Sequence, residues 1–171
     1  MRYKVLMAVL GSVFMLATVA KAEQLAALLT GYDESPSVST TARGEFSATI
    51  TDAGDAILYR ERFTALQAPV TQSHIHIAQP GVNGSIVIFL CQTPASPDPT
   101  GLAPECPQDG IVTGTITAAN VIAGAPTQQL KAGDLAAVIT AIRAGMAYAN
   151  VHTTASPAGE VRGQIRVIAK Q

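Results

Sequence analysis

Glu45-Phe46-Ser47-Ala48-Thr49-Ile50-Thr51, followed by Asp52-Ala53-Gly54-Asp55 and Ala56-Ile57-Leu58-Tyr59-Arg60-Glu61-Arg62-Phe63-Thr64-Ala65-Leu66, decides the fold class. The first run alternates polar and apolar residues, the spacing of a half-buried strand. In the third run Ile57, Tyr59, Glu61 and Phe63 share one parity, while Leu58, Arg60 and Arg62 share the other. Between them stand residues that favour a tight turn, so the two runs predict a β-hairpin. Asp52 and Asp55 are accounted for by that turn rather than by acid–base chemistry.

The same signals recur outward. Ser73–Ala78 and Ser85–Leu90 are strand-like and are joined by Gln79-Pro80-Gly81-Val82-Asn83-Gly84, which contains two strong turn pairs. Asn83-Gly84-Ser85 is formally a glycosylation sequon, read here as turn chemistry. Gly110–Thr117 is another β-branched run. Leu135, Val138, Ile139, Ile142 and Met146 instead follow helical spacing, with an N-cap at Gly133-Asp134 and a C-cap at Gly145. Ala147–Thr153 and Glu160–Ile168 complete the set as strands around a Pro/Gly turn. Short strands at regular spacing with one short helix predict an all-β domain, an antiparallel β-sandwich.

Composition bounds the function. The chain has 171 residues, 48% hydrophobic and 13% charged, a balance opposite to that of disordered chains. Met1-Arg2-Tyr3-Lys4, the uncharged run Val5–Val19 and Ala20-Lys21-Ala22 have the three parts of a secretory signal peptide. The apolar run is shorter than a membrane span needs. Residues 1–22 are therefore expected to be removed on export to the periplasm or medium, leaving 23–171 as one domain without a membrane span. Lys+Arg is 11 and Asp+Glu is 12; Arg2, Lys4 and Lys21 leave with the leader, so eight cations face twelve anions, a net charge of −4. The remaining cations are scattered, and there is no Trp, which argues against a nucleic-acid partner. Cys91 and Cys106 bracket a proline-rich segment; an even pair in an exported protein predicts a structural disulfide.

No nucleophile elbow, metalloprotease helix, P-loop or dinucleotide fingerprint is present. The chain's three histidines are not scattered, however. His74 and His76 stand in Ser73-His74-Ile75-His76-Ile77, and His152 stands in Asn150-Val151-His152-Thr153. Residues i and i+2 of a strand share a face, about 6.6 Å apart, so His74 and His76 point together. If the last strands pair, His152, Glu160, Asn150 and Arg162 share a surface. Three imidazoles suit copper or zinc, and Glu160 is the candidate for a fourth ligand or for a carboxylate that orients a ring. Ordinary imidazole titration predicts that binding weakens as pH falls through about 6.5. The plainer alternative is a polar strand face with solvated histidines.

These segments carry a resemblance. Leu29-Thr30-Gly31-Tyr32-Asp33-Glu34-Ser35-Pro36, Ser73-His74-Ile75-His76-Ile77-Ala78 with Gly81 and Gly84, Ile86–Leu90, Ile142-Arg143-Ala144-Gly145, Tyr148-Ala149-Asn150-Val151-His152-Thr153 and Pro157-Ala158-Gly159-Glu160-Val161-Arg162-Gly163-Gln164-Ile165 resemble the CHRD domain. That module is named after chordin and also occurs alone in secreted bacterial proteins. The likeness runs from about Gln24 to Ile168; Ser73 stands where the family usually has Ala, and Ala149 where it has Val. It implies an immunoglobulin-like or superoxide-dismutase-like sandwich and brings no catalytic mechanism.

Three functions compete. The first is an exported, non-enzymatic binding domain that takes copper or zinc through His74, His76 and His152. The second is a metal-free structural or protein-interaction module of the cell envelope or extracellular space. The third is a superoxide-dismutase-like copper enzyme, for which three histidines are too few. The first is adopted because it alone assigns residues.

Overall fold

The structure, a computed structural model, describes residues 22–170; the expected leader lies outside them except for Ala22. Among the described residues nine strands and one α-helix make the chain mostly β: β1 (Glu23–Thr30), β2 (Arg43–Ile50), β3 (Ile57–Thr64), β4 (Val70–Ile77), β5 (Ser85–Cys91), β6 (Gly110–Ile116), α1 (Leu135–Arg143), β7 (Ala147–Thr153), β8 (Val161–Gln164) and β9 (Arg166–Lys170).

The expected hairpin is β2–β3, in register from Arg43 opposite Thr64 to Ile50 opposite Ile57. Its turn closes with Thr51 Oγ1 donating to Asp55 Oδ1 at 2.8 Å, which gives Asp55 a turn role. The parity holds along β3: Ile57, Tyr59, Glu61 and Phe63 are buried, whereas Leu58, Arg60 and Arg62 face out. Every ladder is antiparallel, in the order β5-β4-β7-β8-β1-β2-β3-β6, with β9 also on β1. The outer strands β5 and β6 lie against each other, so the sheet curls almost into a barrel. The Tyr59 hydroxyl of β3 donates across the interior to the Leu90 carbonyl of β5 at 2.5 Å.

Three elements differ from the sequence reading. β1 was not expected: Leu25, Ala27 and Leu29 point inward while Leu28 is 73% exposed. Two of its outward positions, Ala26 and Leu28, are apolar too, so Leu25–Leu29 is an unbroken apolar run without the alternation that marks a half-buried strand. The last expected strand divides at Ile165 into β8 on β7 and β9 on β1. Finally, Met146 falls beyond α1, which ends at Arg143; Leu135, Val138, Ile139 and Ile142 form the helix's buried face. Asp134 caps α1 as expected, Oδ1 accepting from Ala137 N at 2.9 Å.

One core unites these pieces, with Leu25, Leu29, Phe46, Ile57, Phe63, Ile75, Ile88 and Ile165 among its fully buried side chains. Cys91 and Cys106 form a disulfide, with Cα atoms 4.9 Å apart. A disulfide-bonded chain fits an extracellular location. Among the described residues no helix is long and apolar enough to cross a membrane.

Candidate metal centre

β4 and β7 lie side by side in the sheet, with Ser73 opposite Val151, Ile75 opposite Ala149 and His76 opposite Tyr148. Ser73, Ile75, Ala149 and Val151 take the inward parity of the two strands. His74, His76, Tyr148, Asn150 and His152 take the other parity, yet all five are buried. The outer face of this part of the sheet is therefore roofed rather than solvated.

Arg162 on β8 ties the roof down: Nε donates to the Asp33 carbonyl at 2.7 Å and Nη1 to Asn83 Oδ1 at 2.9 Å. Asn83 Nδ2 in turn donates to the Ser35 carbonyl at 3.0 Å, and Asn150 Nδ2 donates to Glu34 Oε1 at 2.6 Å. Gly159, at φ +127°, makes room for the last contact, because a Cβ there would meet both Asn150 Nδ2 and Glu34 Oε1. Burial pushes the Glu34 carboxyl up to about 7, although Arg162 and Asn150 pull it down.

Beneath this roof the three histidines converge. One ring nitrogen from each of His74, His76 and His152 lies within 4.8 Å of the other two. The ring centroids are 5.5 Å apart for His74 and His76, 4.9 Å for His74 and His152, and 6.2 Å for His76 and His152. Phe89 of β5 sets its ring edgewise against His74 at 4.4 Å. Tyr148 stacks flat on His76 at 4.7 Å and also carries the Arg162 guanidinium, 4.4 Å from its ring centre.

Two backbone carbonyls set the protonation of the cluster. His76 Nδ1 contacts the Gly84 carbonyl and His152 Nδ1 the Pro157 carbonyl, each at 3.0 Å. A carbonyl only accepts, so each Nδ1 carries the proton and each Nε2 keeps its lone pair. Neither Nε2 has a hydrogen-bond partner, and His74 has none at either nitrogen. Gly84 is required at its position because a Cβ would collide with the Ile77 carbonyl. Burial lowers the basicity of all three rings: His76 falls to about 4, His152 falls despite the Pro157 hydrogen bond, and His74 is lowered further by its two histidine neighbours. The rings are neutral near pH 7, the form that ligates a metal.

Glu160 stands elsewhere. It is fully buried, with Oε1 accepting from Thr40 Oγ1 and Gln67 N, both at 2.9 Å, and Oε2 accepting from Thr153 Oγ1 at 2.8 Å. The ring-orienting role expected of it falls to the Gly84 and Pro157 carbonyls, for which side-chain identity gives no signal. Phe89 and Glu34 were also not singled out as site residues; Phe89 sits within a continuous apolar run, and Glu34 reaches Asn150 only through the tertiary fold.

No curated protein and no solved structure matches the chain. The sequence model of the CHRD domain family matches residues 25–165, nearly all of the described chain, including both histidine motifs and the Gly159–Arg162 segment that holds the roof. The chain belongs to the CHRD domain family.

Proposed function

We propose that this protein is an exported, non-enzymatic binding domain whose His74, His76 and His152 hold one transition-metal ion, copper or zinc. One observation carries the reading: three buried imidazoles converge with nitrogen lone pairs that no protein group uses. A buried polar atom without a partner costs about 1–3 kcal/mol, and a bound ion would offset that cost at several atoms together. Metal–nitrogen bonds of about 2.0–2.1 Å place the donors roughly 3.4 Å apart, so small ring movements close the site. The carbonyls behind His76 and His152 resemble the outer hydrogen bonds that orient metal-binding imidazoles.

Calorimetric titration of metal-free protein with copper and zinc salts tests the reading. The expected result is one ion per chain, lost in His76→Ala and weakened at least about tenfold in His152→Ala. Because burial holds the imidazoles neutral, affinity should persist to about pH 5.5, below the point where a solvated cluster would release its metal. No binding by the folded protein would leave the metal-free module as the better account. The finer architecture proposed with this function is an immunoglobulin-like or superoxide-dismutase-like sandwich. The division at Ile165 supports it, because Thr30–Arg162 is the single register pair between β1 and β8.

A further inference from the structure

The geometry points to a monovalent ion: we infer that the three histidines form a closed, three-coordinate site for Cu(I). This rests on the metal-binding reading above and adds the charge and oxidation state of the ion.

The argument is electrostatic. Exposure of His74, His76 and His152 is 0%, 6% and 6%. Imidazole ligates a metal in its uncharged form, and among the described residues no carboxylate belongs to the converging group. Glu160 already accepts three hydrogen bonds, and Glu34 accepts from Asn150 and lies in the field of Arg162. Phe89 and Tyr148 pack on the rings of His74 and His76, and the Tyr148 hydroxyl accepts from Gly84 N at 3.2 Å. The full charge nearest His76 through this stack is the Arg162 cation, seated on the same tyrosine ring.

Transfer of an ion out of water costs free energy that grows with the square of its charge, so a divalent ion costs about four times as much as a monovalent one. Open zinc sites relieve this cost with a bound water of lowered pKa or an anionic ligand. Here Phe89 and Tyr148 pack on two of the rings, and the Gly84 and Pro157 carbonyls already receive N–H groups. Cu(I) has a filled d shell and accepts three neutral nitrogen donors without a fourth ligand. The donor type alone does not separate copper from zinc, since imidazole suits both; the burial and the lack of a carboxylate within the converging group do.

The deciding experiment is a set of titrations of metal-free wild-type protein. Cu(I) is added without oxygen against a chromogenic Cu(I) chelator, with ascorbate as reductant so that the Cys91–Cys106 bond is kept. Zn(II) and Cu(II) are titrated calorimetrically in the same buffer. The expected outcome is one Cu(I) per chain, bound more than about tenfold tighter than either divalent ion, with the X-ray absorption edge of three-coordinate Cu(I). A margin below tenfold, or a divalent ion bound more tightly, overturns the Cu(I) assignment and leaves the metal site standing. Failure of all three ions to bind overturns both.

Discussion

An imidazole with neither nitrogen hydrogen-bonded and no exposed surface costs the folded state free energy that an aliphatic side chain would not. His74 is in that position, wedged between Phe89, His76 and His152. His74→Leu should therefore stabilise the metal-free protein by about 1–3 kcal/mol while removing metal binding. Urea unfolding of both proteins without metal measures the first effect, and titration measures the second. A destabilised variant would mean that His74 earns its place through packing. The parity of His74 and His76 was legible because strand periodicity is local. Their burial was not, since the roof comes from residues 31–35 and 80–84, which reach the strand only in the folded chain.

At the scale of elements, α1 and the terminal strands show opposite degrees of legibility. The helix was readable because its apolar spacing and the Asp134 cap agree, and the core receives the side chains that the spacing selects. Ile142, 1% exposed, is a direct probe of that packing. Ile142→Ala should cost about 2–5 kcal/mol in unfolding free energy. A loss under about 0.5 kcal/mol would show that the helix face is not part of the core. β1 and the β8–β9 division were not readable. β1 lies between β2 on one side and β8 and β9 on the other, and its outward Ala26 and Leu28 leave no period-2 pattern across Leu25–Leu29. The change of partner at Ile165 depends on where the sheet curls, which no local propensity encodes.

Across the whole molecule, buried titratable groups of opposite kind oppose each other. The histidines bind protons in the unfolded chain below their ordinary 6.5 but resist them when folded, so stability is lost as pH falls below about 6.5. Glu34 and Glu61 do the reverse. Their carboxyls ionise above the ordinary 4.5 when unfolded but hold their protons to about 7 and about 8 when folded, burial being the main cause in each. Glu61 lies fully buried on the core face of β3, where only Ser73 pulls its carboxyl down against burial. Stability from these groups therefore falls as pH rises from 4.5 through 7 and 8. Below 6.5 the histidines oppose the carboxyls, and above it only the carboxyls act. Metal-free protein should lose stability as pH rises from 6.5 to 8.5, with the decline reduced in Glu61→Gln; urea unfolding across that range checks this, and an unchanged decline in the variant would remove Glu61 from the account. Glu61 already shared its parity with Ile57, Tyr59 and Phe63 in the sequence, so its inward direction was determined locally. Local periodicity suffices for the β class, the one α-helix, the inward and outward parity of β2, β3 and α1, and the common face of His74 and His76, because each follows from the period of a single element. The tertiary structure alone decided that β7 lies beside β4 and brings in His152, that loops bury the cluster, that carbonyls rather than Glu160 orient the rings, and that the sheet curls nearly closed. Those outcomes depend on contacts between residues far apart in the chain, whose free energies no local spacing records.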